Sequence, residues 1–443
     1  MRKQRLTLLY PGDFYSMAWG RYLTLKPHMV YMHAYLAPHF DVAVIDLENE
    51  FSRPVNGSSL DRFKERALER LLAVETDILA ISCWSSLNYL SSVFFATAYK
   101  ARRPDALVVV GGYHPTFVPE DFTFVGSPFD RVVGGEIKNI FPALGMDAPG
   151  PDNTYEVEPE YESYPYYDGQ GTIGLFLGAG CPFNCRYCME YKRKWSSLPV
   201  ETAVSRIVDA CKTLPLKYVT VFDACFGLNR TWKRDFLKAL SRQNLDIYLW
   251  LETRVDLVDD TDIQLLSDLK VKVDLGIDSF SETMLGIMGK SRRPKAYLDD
   301  FLRVSKGFSR AGVFHDSYLI FDHPGESADT WEEFKAFFHT RVTPELRNGY
   351  LRVKYQRFSY YPGNHIYTHY RDYQDRFGFR ALHPQWWKES GDHYTLSRTI
   401  VPSLDTAGNA FHVPLKQASA MVRGFNADAK DEALWQKLHS FAI

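Results

Sequence analysis

The sequence predicts an α/β protein. An N-terminal Rossmann-like parallel sheet is followed by a partial (β/α)6 barrel and then by a small C-terminal region. Three observations predict it. Short β-branched runs alternate with longer helical patterns from residue 1 to 145. A stretch rich in Pro, Gly and acidic residues breaks the rhythm at 146–170. A second alternation, of six strands and five helices, then fills 171–357. Strands that alternate with helices pair in parallel, with helices covering the faces.

In the first domain the strands fall at 6–10 (LTLLY), 41–47 (DVAVIDL), 77–83 (DILAISC), 106–112 (ALVVVGG) and 130–135 (DRVVGG). Between them, FKERALERLLAV and VFFATAYKARR repeat apolar residues at helical spacing. Ligands of such sheets sit beyond the carboxyl ends of the strands. The linker MDAPGPDNTYEVEPEYESYPYYDGQ has no period and reads as a surface wrap, with its acidic run solvated. The second series places strands at 172–178, 217–222, 247–253, 271–277, 314–321 and 350–357. Its helices fall near 199–213, 230–243, 261–269, 294–311 and 328–338. Six such repeats suggest a partial barrel with its chemistry at the strand carboxyl ends. The tail at 358–443 is rich in His, Tyr and Trp, has no repeat, and is expected to close one side of the barrel.

Composition excludes several classes. The chain has 443 residues, 45% hydrophobic and 24% charged, which is enough for two or three cored domains. A net charge of −2 gives no electrostatic case for nucleic acid. With no apolar run of about 18 residues, no membrane span is expected. The start, MRKQRLTLLYPGDFY, reads as a first strand and not as a signal peptide, because its apolar run ends at Pro11 and Asp13. Six cysteines without an even spacing fit a reducing, cytoplasmic setting. The 15% of aromatic residues serve a generous core or a pocket for a flat cofactor.

Three of the six cysteines, Cys181, Cys185 and Cys188, stand within GTIGLFLGAGCPFNCRYCMEYKRKW, directly after a predicted strand. The spacing is C-x3-C-x2-C. Three thiolates in one loop can hold three corners of an iron–sulfur cube, leaving the fourth iron for an external ligand. Structural zinc takes four ligands, and no histidine stands in this loop. Lys192, Arg193 and Lys194 follow it instead.

CPFNCRYC, with Tyr187 before its last cysteine, resembles the signature of the radical S-adenosylmethionine (radical SAM) superfamily. Later segments resemble that family in order: VTVFDACFGLNRTW, WLETRVD, VDLGIDSFSETMLGIMGK (with Asp278 where Gly-Ile-Glu-Ser is usual) and LIFDHPGESADTWEEF. The resemblance covers roughly residues 170–365. It implies a 4Fe-4S cluster on Cys181, Cys185 and Cys188. It also implies S-adenosylmethionine (SAM), a 5′-deoxyadenosyl radical that abstracts hydrogen, and a one-electron donor of the flavodoxin or ferredoxin type. Carried over residue by residue, Tyr187 lies where the loop passes the adenine, and Asp223 near the SAM amino group. Glu252, Arg254, Asp278 and Ser279 stand at strand ends that bind ribose or the methionine carboxylate. DACFG replaces the usual small-residue run after the second strand.

SCWSSLNYL and VVVGGYHPTFVPEDF resemble the cobalamin-binding fold, through Ser85 and Leu87 of a Ser-x-Leu and the Gly111–Gly112 pair. FDRVVGGEIKNIF is also similar to segments of these proteins. The resemblance implies cobalamin as a third cofactor. The fold's Asp-x-His-x-x-Gly loop is absent, since YPGDFYSMAWGRYL has no histidine. An ordinary Rossmann-like domain that only shapes the pocket is the competing reading.

Other residues have side chains capable of chemistry. Cys225, close to the expected centre, is either a hydrogen-atom donor or an inert thiol. Tyr218, His315 and Asp316 are candidate proton donors or acceptors, with Asp322 and His323 nearby, and Tyr361 is a candidate lining residue. PQWWKE at 384–389 reads as core packing, Cys83 as a buried small hydrophobe and Cys211 as core. The reading reached is a radical SAM enzyme methylating an unactivated carbon of a natural-product-like small molecule with cobalamin. Its competitors are cobalamin-independent radical dehydration or rearrangement of a sugar-like diol, and a non-catalytic cobalamin or iron–sulfur sensor.

Overall fold

The computed structural model of the chain describes residues 3–15, 25–54, 56–190 and 192–430. Outside the described residues lie 431–443, the end of the expected barrel-closing region, and 16–24 of the loop lacking a motif histidine. The described residues form two compact units. One comprises 1–168, 361–363 and 383–399; the other comprises 169–360, 364–382 and the residues from 400 onward.

The first unit is built on a wholly parallel five-stranded sheet in the order β2-β1-β3-β4-β5. Its strands are β1 (Arg5–Tyr10), β2 (Asp41–Asp46), β3 (Ile78–Ser82), β4 (Leu107–Gly111) and β5 (Arg131–Val133). Its helices are α1 (Pro27–Leu36), α2 (Leu47–Phe51), α3 (Gly57–Leu72), α4 (Tyr89–Lys100), α5 (Tyr113–Phe117) and α6 (Ile140–Ala143). Residues 78–82 of β3 are all buried, as a central strand covered on both faces requires. The capping box of Asn56 and Ser59 starts α3, which then buries Leu60, Phe63, Ala67 and Leu71 at helical spacing. The chain leaves β1 for β2 on one side and returns to β3 on the other. The carboxyl ends of β1 and β3 therefore flank a topological switch point.

One part of the tail departs from expectation. Residues 383–399 pack into this first unit instead of closing the barrel. Trp386 and Trp387 are wholly buried there. Trp387 Nε1 donates to Asp121 Oδ2 at 2.7 Å, and Lys388 Nζ pairs with Asp121 Oδ1 at 2.6 Å. A buried carboxylate needs such donors, and Asp121 recruits them from 266 residues away in sequence.

The second unit holds a parallel six-stranded sheet in the order β13-β12-β11-β10-β9-β6. Its strands are β6 (Thr172–Leu175), β9 (Tyr218–Val221), β10 (Tyr248–Thr253), β11 (Val271–Asp278), β12 (Phe314–Phe321) and β13 (Leu351–Arg357). A short antiparallel pair, β7 (Gly178–Ala179) with β8 (Ser196–Ser197), brackets the cysteine loop. Helices α7 (Val200–Thr213), α8 (Arg230–Ser241), α9 (Asp260–Ser267), α10 (Glu282–Ile287), α11 (Pro294–Arg310) and α12 (Ala328–Phe337) connect the strands. Each long strand neighbours the next one in sequence, which is the winding of a partial (β/α) barrel. Pro294 starts α11, where its fixed φ suits the first turn, and Tyr297, Leu298, Phe301, Leu302 and Phe308 turn inward from it. Among the described residues no helix is long and apolar enough to cross a membrane.

Phe301 is fully buried, 5.2 Å from the Phe280 ring. Phe301→Ala is expected to cost about 3–5 kcal/mol, read as a lower urea midpoint for the second unit by tryptophan fluorescence.

Candidate functional site

The cysteine loop leaves β6 and is pinned at both ends. A Cβ on Gly178 would lie 2.6 Å from the Ser196 carbonyl oxygen, and one on Gly180 (φ +80°) would lie 2.1 Å from that of Lys194. Glycine is therefore what allows β7 and β8 to close the neck of the loop. Further along, the loop docks on the turn after α10. Arg186 N donates to Met288 O at 2.9 Å, and Arg186 Nη1 to Ile287 O at 3.0 Å. Gly289, at φ +67°, leaves room for Asn184 O, which a Cβ would approach to 2.4 Å. Cys188 N closes a turn on Cys185 O at 3.1 Å.

Cations and one further thiol surround the three sulfurs. Arg254 Nη1 lies 3.7 Å from Cys185 Sγ, and its guanidinium stacks on Phe183 at 3.8 Å. Asp256 fixes Arg254 with two hydrogen bonds, of 2.9 and 2.8 Å, and Lys290 O accepts a third at 2.8 Å. A hydrogen bond from the Cys225 thiol leads in bringing Cys181 down to about 6, against burial, with Phe183 N, Arg254 and Lys290 assisting. Burial pushes Cys188 up to about 12, with Cys185 and Cys181 adding repulsion. Three neighbouring thiolates repel one another, and bound iron relieves that repulsion.

At the end of β11 the ladder shifts register between Gly276 and Asp278, and Asp278 takes φ +67°. The bulge re-aims its carboxylate. Lys290 Nζ pairs with Asp278 Oδ2 at 2.6 Å, and the Tyr187 hydroxyl donates to the same oxygen. Burial works against the charge on Lys290, but Asp278 holds its pKa above the ordinary lysine value. Asp223 Oδ1 accepts from Leu177 N at 2.8 Å and Gly178 N at 2.9 Å, so it ties β9 to the exit of β6; burial raises its pKa to about 7. Ser279 Oγ accepts from Ser281 N at 3.1 Å, a local turn contact.

Side chains of β10 to β13 alternate between the helix layer and the concave face. His315 turns to the helices: it is fully buried, packs on Phe308 at 5.3 Å and meets Val313 O at 3.1 Å. That placement removes it from the concave face, where a proton donor was expected. Asp316 does face inward, 3.0 Å from Lys272 Nζ and 2.8 Å from Lys354 Nζ. Glu252 shares that face, in register with Asp274, and away from the Asp278–Lys290 pair where a SAM contact was expected. Tyr218 opens β9, at the end opposite the cysteine loop, stacked on Tyr248 at 5.7 Å. Tyr361 packs edge-on against Trp386 at 5.1 Å within the first unit, not in the barrel. Sequence reasoning missed Lys290, Lys272, Asp274, Tyr318 and Lys354. The last four stand at alternate positions of predicted strands, a polar period that signals a wet or charged inner face.

In the first unit, Ser85 accepts from Leu87 N at 3.3 Å and caps a short turn after β3. Gly112, at φ +124°, brings its backbone against Cys83 O, where a Cβ would lie at 2.3 Å. His28 stacks on Trp84 at 3.9 Å beside the ends of β1 and β3. Burial lowers the pKa of His28 to about 3, and its Nε2 has no hydrogen-bond partner among the described residues.

The radical SAM superfamily profile matches residues 175–338, and the B12 binding domain profile matches residues 27–145. The chain carries a radical SAM superfamily domain with a B12 binding domain ahead of it. An uncharacterized methyltransferase of Pyrococcus horikoshii is 26% identical over 277 residues, 54% of this chain and 60% of that protein. The chain thus spans less than two thirds of that relative. Bacteriochlorophyllide d C-8(2)-methyltransferase of Chlorobaculum tepidum is 22% identical over 65% of this chain and 69% of its own length. Among solved structures, the radical SAM methyltransferase TsrM from Kitasatospora setae aligns with TM-score 0.65 at 16% identity, covering 95% of this chain and 89% of TsrM. OxsB, a cobalamin-dependent SAM radical enzyme, aligns with TM-score 0.60 at 18% identity, covering 80% and 53%. At these identities the structures speak for the fold.

A radical SAM domain implies a 4Fe-4S cluster and SAM, and a B12-binding domain implies cobalamin. The residues present fit these groups. Among the described residues no three His, Cys, Asp or Glu side chains converge on a single metal ion. Thiols that each hold a different corner of a cube stand farther apart than ligands of one ion. At the switch point, small residues and the unpartnered Nε2 of His28 fit a flat ligand laid over the strand ends.

Gly289→Ala is expected to loosen the cysteine loop from its dock, so that reconstituted protein holds less than half the wild-type iron while its circular dichroism is unchanged. Glu326 is buried, and burial, with Asp322 beside it, raises its pKa to about 8. A raised folded-state pKa favours the fold below the unfolded value and loses that benefit as pH rises through about 8. Glu326→Gln should therefore gain stability over wild type between pH 5 and 8, seen in urea midpoints at the two values.

Proposed function

We propose that the protein is a cobalamin-dependent radical SAM methyltransferase that methylates an unactivated carbon of a small molecule. The observation that carries this reading is the set of three thiols on one docked loop, faced by Arg254 and Lys290, in a chain that also has a B12-binding domain. When bound, the cluster with SAM supplies a hydrogen-abstracting radical, and cobalamin supplies a methyl carrier.

The protein's own residues bind, orient and shield. Cys181, Cys185 and Cys188 hold the cluster, and Arg254, fixed by Asp256, offsets its negative charge. Lys290 suits a carboxylate, such as that of the methionine moiety, while Asp278 and Tyr187 lie beside it as hydrogen-bonding groups for ribose or adenine. Asp223 keeps the entrance of the loop rigid. The parallel strands direct these groups to one end of the barrel and keep water from a reactive intermediate. A small-molecule substrate and a flavodoxin- or ferredoxin-type donor complete the scheme.

Protein purified anaerobically and reconstituted with iron, sulfide and cobalamin is assayed with SAM, reductant and candidate substrates. The expected result is S-adenosylhomocysteine and 5′-deoxyadenosine in equal amounts, both lost in Cys185→Ala. Deoxyadenosine alone, from protein that retains no corrin, would replace methylation by radical dehydration or rearrangement.

A further inference from the structure

The concave face of the barrel carries a layer of charge that cluster and SAM binding leave unused. Lys272 lies between Asp274 Oδ1 at 2.6 Å and Asp316 Oδ2 at 3.0 Å, with its ammonium 4.4 Å from the Trp250 ring. Lys354 continues the row, 2.8 Å from Asp316 Oδ2 and 3.2 Å from the Tyr318 hydroxyl. Arg352 stands beside Asp316 in the register and shares the inward face of β13. Glu252 completes the row beside Asp274. Three carboxyl groups thus share the face with three cations, and the layer as a whole is close to neutral.

Its members differ in access. Lys272, Asp274 and Asp316 are sealed and hold one another. Glu252 and Lys354 stay reachable at the two ends of the row, within electrostatic range of each other. Glu252 is accessible yet deep, because its free surface faces the concavity and not bulk water; burial, reinforced by Asp274, raises its pKa to about 7. Burial lowers Lys354 to about 8 although Asp316 opposes it. Trp250 pairs with Thr220 on β9, and Phe222 lies two residues past Thr220 as Glu252 lies two past Trp250; Phe222 is 41% exposed, and its ring lies 6.1 Å from that of Phe176. A large apolar side chain left open on a concave inner face awaits an apolar partner.

The geometry points to the barrel concavity as the binding site for an amino-acid-type zwitterion with an apolar, aromatic body: ammonium on Glu252, carboxylate on Lys354 and Tyr318, and the ring against Phe222 and Phe176. A neutral row with separated poles selects such a molecule, because an ion of either sign would leave one pole desolvated and unpaired. The assignment rests on the proposed function for the concavity being the substrate chamber, yet binding is read without turnover, so either can fail alone.

The test uses reconstituted protein with saturating SAM and no reductant, which keeps the probes off the SAM site. Calorimetry and saturation-transfer NMR follow L-phenylalanine, L-tyrosine and L-tryptophan, together with phenethylamine and 3-phenylpropanoate. At least one amino acid is expected to saturate the protein, with both truncated analogues at least tenfold weaker than phenylalanine if phenylalanine binds, and otherwise undetectable. Glu252→Gln should weaken amino-acid binding at least tenfold and leave 3-phenylpropanoate unmoved, whereas Lys354→Met should weaken amino-acid binding as much and leave phenethylamine unmoved. Phe222→Ala, at an exposed position, should weaken binding with the urea midpoint and iron content unchanged. The assignment is overturned if no amino acid saturates the protein, if the analogues bind as tightly, or if the two charge variants weaken every probe alike.

Discussion

Cys181, Cys185 and Cys188 hang on a loop that could not hold its shape alone. Three thiolates in one short segment repel one another, and burial adds to the cost of their charge. The structure meets this with backbone packing first and charge second. Gly178 and Gly180 let β7 and β8 close the neck, and Gly289 lets Asn184 and Arg186 seat on the turn after α10. Arg254 and Lys290 then bring positive charge to the same place, each held by a carboxylate of its own. The barrel strands matter to the site because they deliver Arg254 from β10, and Asp278 with Lys290 from β11 and its following turn, to one rim.

Much of this was legible in sequence, for identifiable physical reasons. Strands and helices that alternate over residues 1–145 and again over 171–357 leave few architectures open, and the cysteine spacing is specific because it needs three thiols and no fourth. Arg254 and Asp278 could be placed at strand ends by the same alternation. Lys290 escaped notice because its role depends on a turn that folds back twelve residues beyond Asp278 to reach the carboxylate. His315 and Asp316 looked equivalent in sequence, but strand alternation sends one to Phe308 and the other to Lys272. Residues 383–399 could not be assigned to a unit from sequence, since what recruits them is one buried acid, Asp121, in the first unit.

The inner face of the barrel shows a division of labour. Lys272 pairs with both Asp274 and Asp316, and all three are buried, which gives the sheet a charged inner seam. Glu252, Lys354 and Phe222 border that seam and remain open. A chamber for a reactive intermediate benefits from this arrangement, because rigid neighbours fix the orientation of whatever the open groups hold. Within the first unit, the unpartnered Nε2 of His28 and the close backbone contact at Gly112 stand at the carboxyl ends of the strands, where a planar group can lie.

The central claim is that three cysteines hold a cube with one iron left for SAM. Electron paramagnetic resonance of the reduced, reconstituted protein, before and after SAM is added without substrate, tests it most directly. The account predicts a 4Fe-4S signal, with iron and sulfide at about four each per chain, whose line shape changes when SAM binds. A signal indifferent to SAM, or its persistence in Cys185→Ala, would contradict it.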